Sequence, residues 1–311
     1  MGTMLQTVKT GKIFRPLLIM VYGPDGVGKS SFGARAPKPI FVGPEQGTDH
    51  LDVARCSPKT FAETKAVIKE LITDEHDYET LVIDSLDWIE PEIIQPILER
   101  DNVKSINLAA KGYGNGVEEL LGIWKDFITA LNILRDKRKM NIILIAHSDI
   151  VDFTDPQAQM TYQRYQLKLH KKTNPIFREY VDAVLFANYE TFAKKDEGKV
   201  KAFSSGSRVI HTERRPGFDA KNRFGLPFTL PLSIEWNEFV EACRKGVPES
   251  IEVILSRITG LIGLVKDEAT RLKVQETVKK SENDANALLR ILNRLEVITE
   301  DGAAPKEKET T

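Results

Sequence analysis

Bulky apolar residues recur along this chain at two spacings, and the alternation between them predicts most of its architecture. Unbroken apolar runs stand at 17–22 (LLIMVY), 39–42 (PIFV), 80–84 (TLVID, closing on a carboxylate), 141–146 (NIILIA) and 183–187 (AVLFA). Such runs suit strands buried on both faces, as in a parallel sheet. Between them the spacing turns helical. Phe61, Val67, Ile68, Leu71 and Ile72 predict a helix opening near Ser57–Pro58, where a serine cap and a first-turn proline fit. Val117, Leu120, Leu121, Trp124, Phe127, Ile128, Leu131 and Leu134 trace the clearest apolar stripe. Residues 85–100 read as another helix despite Pro91 and Pro96, and a short one opens near Lys29 and ends before Pro37.

Strands alternating with helices predict an α/β fold, with right-handed crossovers and a parallel sheet covered on both faces. The polar segments 101–116 and 149–174 read as loops, and 199–212 as a strand pair. Beyond Pro248 the pattern changes. Residues 249–298 carry Ile, Leu and Val among charges at helical spacing, which predicts a small helical appendage. The expected organisation is an extension (1–12), a core (13–240), a helical region (248–298) and a charged, disordered tail (299–311).

Composition adds exclusions. A chain of 311 residues, 41% hydrophobic, can bury a sizeable core. The net charge of −1 rules out a polycation, so nucleic-acid contact has to come from local basic patches. Cys56 and Cys243 lie far apart with no CxxC spacing, against a disulfide framework or a structural zinc. No apolar run approaches the ~20 residues of a membrane span, the first ten residues lack a signal-peptide core, and Gln6 stands where a myristoylation signal wants Ser or Thr. A soluble, cytoplasmic protein with no membrane partner is the expectation.

The candidate chemistry begins at "GPDGVGKS", Gly23 to Ser30, a full match to G-x-x-x-x-G-K-[ST] between a buried strand and a helix. Glycines let main-chain N–H groups turn inward around phosphate oxygens, and the following helix points its positive end at the same anion. Gly23, Pro24, Asp25, Gly26, Val27, Gly28, Lys29, Ser30 and Ser31 are thus the expected nucleotide contacts, Lys29 reaching the terminal phosphates and Ser30 ligating Mg²⁺. Asp84, ending a strand expected beside the first, would hold the metal, and Glu45, past the short strand 39–42, would activate water. His147, at the end of NIILIA, would face the same crevice and contact the γ-phosphate.

In this order the motifs resemble the RecA-like P-loop NTPase core. More narrowly they resemble the phage-encoded RecA-like ATPases of the AAA-type ATP-binding family associated with single-strand annealing and recombination. The resemblance spans roughly 13–235 and includes "EQGTDHL" and "AKNRFGLP". It implies Mg-ATP hydrolysis, with Glu45 at the catalytic-glutamate position and His147 where such enzymes carry a polar sensor, usually glutamine. It also implies single-stranded DNA as partner, gripped by residues 101–116 and 149–174 in a filament or ring, and a single-strand-binding or replication protein as a further partner. Lys111, Tyr113, Tyr162, Arg164, Tyr165, Lys168, Lys171 and Lys172 interleave cations and aromatics as such contacts require. A cation donated in trans between protomers would come from Arg214, Arg215 or Arg223, with Lys171 and Lys172 as rivals. Only about 12 residues precede the core, unlike full-length recombinases. Two alternatives remain open: a helicase or other ring-type DNA motor, and a nucleotide-switched replication accessory. A kinase is weaker, for want of an arginine-rich lid. ATP over GTP is itself a family inference, there being no NKxD motif.

Overall fold

The computed structural model describes residues 13–45, 47–155, 160–196, 199–245 and most of 251–295. The chain divides into two compact units at Lys245/Gly246.

In the first unit the elements run β1 (Leu18–Gly23), α1 (Lys29–Ala34), β2 (Pro39–Val42), β3 (Ala54–Cys56), α2 (Phe61–Thr73), β4 (Thr80–Ile83), α3 (Leu86–Asp101) and α4 (Asn115–Lys137). There follow β5 (Asn141–Asp155), β6 (Met160–Leu167), α5 (Thr173–Tyr180), β7 (Ala183–Asp196), β8 (Lys199–His211), β9 (Lys221–Asn222), β10 (Thr229–Pro231) and α6 (Trp236–Lys245). The sheet order is β10-β8-β7-β1-β5-β4-β2-β3, with β6 paired to β5 and β9 to β7. The six strands from β7 to β3 run parallel, and β8, β9 and β10 close one side antiparallel.

Burial on both faces explains why the parallel strands are unbroken apolar runs. On one face Met20, Tyr22, Leu81, Ile83, Ile142 and Leu144 pack with Trp124, Phe127 and Leu131 of α4. The other face sets Ile19, Val21, Val82, Ile143 and Ile145 against Phe32 of α1 and Trp236 and Phe239 of α6. The period-2 alternation of a strand thus feeds two cores from one ribbon.

The strand order corrects one expectation. Asp84 does not end a strand beside β1, because β5 lies between β1 and β4. Chain order does not set sheet order once crossovers skip a position, and all these strands have the same apolar character. The α2 cap is corrected as well. Thr60, not Ser57, accepts a hydrogen bond from the Glu63 N–H at 3.2 Å, while the Glu63 carboxylate accepts from the Lys59 N–H at 2.7 Å. This is a reciprocal cap of the helix start.

Three further segments differ from the pattern reading. Residues 149–174 are not one loop: β5 runs on past His147 and pairs antiparallel with β6, from Ser148↔Leu167 to Asp155↔Met160. Residues 199–211 are a single strand pairing with β7 rather than a strand pair of their own. In 101–116, α4 already begins at Asn115, after a 3₁₀ turn at Ile106–Leu108.

The second unit contains α7 (Ile251–Ile262) and α8 (Glu268–Lys280). Ile254, Ile258, Val265, Leu288, Leu292 and Leu295 form its own buried cluster. The expected disordered tail lies outside the described residues. Among the described residues no helix is long and apolar enough to cross a membrane.

Candidate functional site: a phosphate loop facing converging acids

Parallel register brings the site together. Gly23 of β1 stands opposite His147 of β5; Leu144 of β5 stands opposite Ile83 of β4; Ile83 stands opposite Val42 of β2. The chain positions just beyond these pairs are the phosphate loop, Asp84 and Glu45, so all of them emerge at one carboxyl edge of the sheet. Open α/β sheets bind ligands at that edge.

The loop is shaped by Gly28, whose φ of +106° places it in the left-handed region as N-cap of α1. A side chain there would be strained. Val27 is fully buried and anchors the loop in the core. Lys29 is 5% exposed, and its Nζ donates to the Gly23 and Pro24 carbonyls at 3.1 and 2.9 Å. Burial pulls its amine below the ordinary lysine range, against the attraction of Asp25, Asp84, Glu45 and Asp87.

Ser30 Oγ donates to Asp84 Oδ2 at 2.7 Å. Asp84 is buried, and burial pushes its carboxyl up to about 6, with Glu45 adding to the rise and Ser30 and Lys29 opposing it. Gly43 makes the approach of the two acids possible. A Cβ there would sit 1.9 Å from the Asp84 carbonyl oxygen, so only glycine lets the chain past β2 run so close to β4. Two residues on, Glu45 is half-buried, and its Oε2 is fully enclosed without a hydrogen-bond partner among the described residues. His147 Nε2 lies 3.4 Å from Asp25 Oδ1 and 4.0 Å from Glu45 Oε1.

The sequence reading missed Asp87. In the first turn of α3, it is buried and grips His147 twice. Its Oδ1 accepts from the His147 main-chain N–H at 2.9 Å, and its Oδ2 lies 2.9 Å from Nδ1. That contact raises the imidazole above its ordinary pKa. Burial would raise Asp87 itself, but the His147 hydrogen bonds prevail and hold it low. Buried Glu90, one turn further along α3, accepts from the Trp124 indole at 3.2 Å and from the His170 N–H at 2.6 Å. With Lys168 N–H donating to His147 O at 2.9 Å, helix α3 holds both feet of the β5–β6 hairpin. The signal for these acids was present in "DSLDWIE": carboxylates three residues apart on an otherwise apolar helix face.

The oxygen donors fit a hard cation. Mg²⁺ takes one or two protein oxygens and completes its shell with water and phosphate, which suits the Ser30–Asp84 pair. Among the described residues no group of three or more His, Cys, Asp or Glu could hold a metal unaided. Beside the loop, a cavity of about 300 Å³ is lined by Gly28, Ser31, Arg35, Arg208, Leu232 and Ser233. Tyr189 donates to the Gly26 carbonyl at 3.4 Å, and the Arg208 guanidinium lies over its ring at 5.5 Å.

The remaining candidates separate. Lys111, Lys168, Lys171 and Lys172 are exposed. Tyr113 is fully exposed within five successive positive-φ residues, 110–114. Arg164 is buried, with its guanidinium on Asp219, so it is no surface cation. Tyr165 packs tilted against Phe186 at 5.1 Å and Tyr162 against Phe153 at 5.6 Å. Arg214, Arg215 and Arg223 are exposed, lying against Asp219, the Phe228 ring and Asp182 respectively.

The chain is similar to several known proteins. The SPbeta prophage-derived uncharacterized protein YorG of Bacillus subtilis (strain 168) is 23% identical over 136 residues, which are 42% of this chain and 41% of that protein. This chain therefore spans less than half the length of that curated relative. The crystal structure of the RadB recombinase aligns at 18% identity and a TM-score of 0.38, over 66% of this chain and 84% of that one. The AAA domain family (AAA_24) matches residues 15–224. With the phosphate loop on β1 and the parallel order β1-β5-β4-β2 behind it, the chain has the α/β P-loop NTPase fold and belongs to that AAA domain family.

Proposed function

We propose that the first unit is a magnesium-dependent ATPase of RecA-like design that acts on single-stranded DNA in recombination or annealing. The observation that carries the proposal is the convergence of the Ser30–Asp84 pair with the enclosed Glu45 Oε2, unpartnered among the described residues, at the mouth of the phosphate loop. A buried carboxylate oxygen without a donor is costly unless a ligand supplies one.

Main-chain N–H groups of the 23–30 loop and the Lys29 amine bind the triphosphate. Ser30 and Asp84 would hold Mg²⁺, which would supply charge neutralisation at the phosphates. Glu45 Oε2 accepts a hydrogen bond from the attacking water and takes its proton as the bond to the terminal phosphorus forms and the bond from that phosphorus to the bridging oxygen breaks, releasing ADP and phosphate. His147, held by Asp87, faces the terminal phosphate as a donor. The cavity lined by Ser31, Arg35 and Arg208 takes the nucleoside.

Coupling to DNA follows from α3. A shift of His147 moves one foot of the β5–β6 hairpin, and Glu90 ties the other foot to the same helix. Exposed Lys111 and Tyr113, with Lys168, Lys171 and Lys172, offer phosphate contacts and a stacking ring. A neighbouring protomer of a ring or filament would donate one of Arg214, Arg215 or Arg223 to the nucleotide.

The test is the ATPase rate of the full chain with and without single-stranded DNA, in Mg²⁺ and in chelator. Stimulation by DNA that requires Mg²⁺ is expected. Turnover indifferent to DNA would remove the DNA part of the proposal, and turnover indifferent to Mg²⁺ would remove the metal part.

A further inference from the structure

Away from the phosphate loop, a cavity of about 310 Å³ opens between the β5–β6 hairpin, α5 and the turn that carries Asp219. Arg164, Lys171, Arg178 and Arg214 line it together with Asp219, so four cations face a single carboxylate. Asp219 receives Arg164, Arg178 at 2.8 Å and Arg214 at 3.6 Å. One carboxylate cannot neutralise this group or satisfy the donors of three guanidinium forks.

The decisive atom is Arg164 Nε. The residue is 2% exposed, its guanidinium packs over the Phe153 ring at 5.0 Å, and Nε has no hydrogen-bond partner among the described residues. A buried guanidinium donor left unpaired is expensive, and guanidinium is always charged. The arrangement asks for an oxyanion with several acceptor oxygens. Carboxylates have two oxygens; a phosphate group has more and suits forked donors.

We propose that this cavity is a second anion site that binds a phosphate group, separate from the nucleotide loop. The phosphate sits among Arg164, Arg178 and Arg214, takes a share of the donors now on Asp219, and contacts Lys171. Its source is either free phosphate or the terminal phosphate of a nucleic-acid strand, since both present the same group. The cavity's volume is at the small end for ligand sites, which suits a phosphate and its attached sugar. The site does not depend on the ATPase reading. Arg164 does connect it to the hairpin, standing opposite Val151 on the strand that leaves His147.

The experiment uses the full chain with the nucleotide loop saturated by a non-hydrolysable ATP analogue and Mg²⁺. Inorganic phosphate is titrated by calorimetry, and 5′-phosphorylated and 5′-hydroxyl oligonucleotides by fluorescence anisotropy. The variants are Arg178→Ala, Arg214→Ala and the double substitution. These side chains are 43% and 64% exposed, so the fold should survive, as circular dichroism would verify. Phosphate binding weakened tenfold or more in the double variant supports the site. A preference for the 5′-phosphorylated strand that the double variant loses identifies a strand end as the source; phosphate binding without that preference identifies free phosphate. Equal phosphate affinity in wild type and double variant, or no binding by either at millimolar phosphate, overturns the inference. An ATPase unresponsive to DNA would remove the DNA part of the functional proposal above and leave this site standing.

Discussion

Asp84→Asn should stabilise the ligand-free protein while destroying its chemistry. The Asp84 carboxyl is buried beside Glu45 and titrates at about 6, against an ordinary 3.8, chiefly because burial penalises the charge. Between these two values the folded chain keeps a proton that the unfolded chain has lost. Stability therefore falls as pH rises through about 4 to 6 and stays lower above that window. The two values lie about two pH units apart, and at ~1.4 kcal/mol per unit the ionised carboxylate costs on the order of 3 kcal/mol. Asparagine keeps an acceptor for Ser30 and removes the charge. The attraction of Lys29 and His147, which opposes the rise, is already contained in that net shift, so ~3 kcal/mol is the expected gain. The assay is urea unfolding in chelator at pH 8 and near pH 4. Tryptophan fluorescence reports the first unit alone, because Trp88, Trp124 and Trp236 all lie there. The variant should be the more stable at pH 8, with the gain shrinking towards pH 4. A variant less stable at pH 8, or a gain that ignores pH, would refute the reasoning.

Three further outcomes follow from the same geometry. Lys29→Ala should abolish measurable triphosphate binding in calorimetry, because the amine that complements the terminal phosphates is gone. Asp87→Asn should lower the His147 pKa, read by NMR of the imidazole, and cost about 1–3 kcal/mol from the weakened buried hydrogen bonds. His147 is held above its ordinary pKa in the fold, so this contribution is largest below that ordinary value and fades as pH rises through the folded one. Tyr113→Ala should weaken single-stranded DNA binding by about 1–3 kcal/mol, read by anisotropy, if the exposed ring stacks on a base.

The parallel strands were legible because burial on both faces leaves unbroken runs such as LLIMVY and NIILIA, which no other element of that length matches. The phosphate loop was legible because its glycine, lysine and serine positions are fixed by local geometry. Sheet order was not legible: Leu144 and Ile83 are interchangeable as neighbours of β1 in pattern, and only tertiary packing inserts β5 between β1 and β4. The β5–β6 hairpin was hidden by charges at Asp149, Asp152 and Arg164, which broke the alternation although the main chain pairs throughout. Arg164 reads as a surface cation in sequence, yet Asp219, 55 residues on, takes it into the interior. Asp87 was overlooked because a first-turn acid on a helix is common, and its partner His147 lies 60 residues away.

Glu45 bears most of the proposal, as the group proposed to take a proton from water. The direct measurement is single-turnover ATP hydrolysis by Glu45→Gln, beside nucleotide affinity for the same protein. Hydrolysis slowed by about 10²–10⁴-fold with affinity little changed is the predicted result. Hydrolysis at the wild-type rate by the glutamine variant would contradict it.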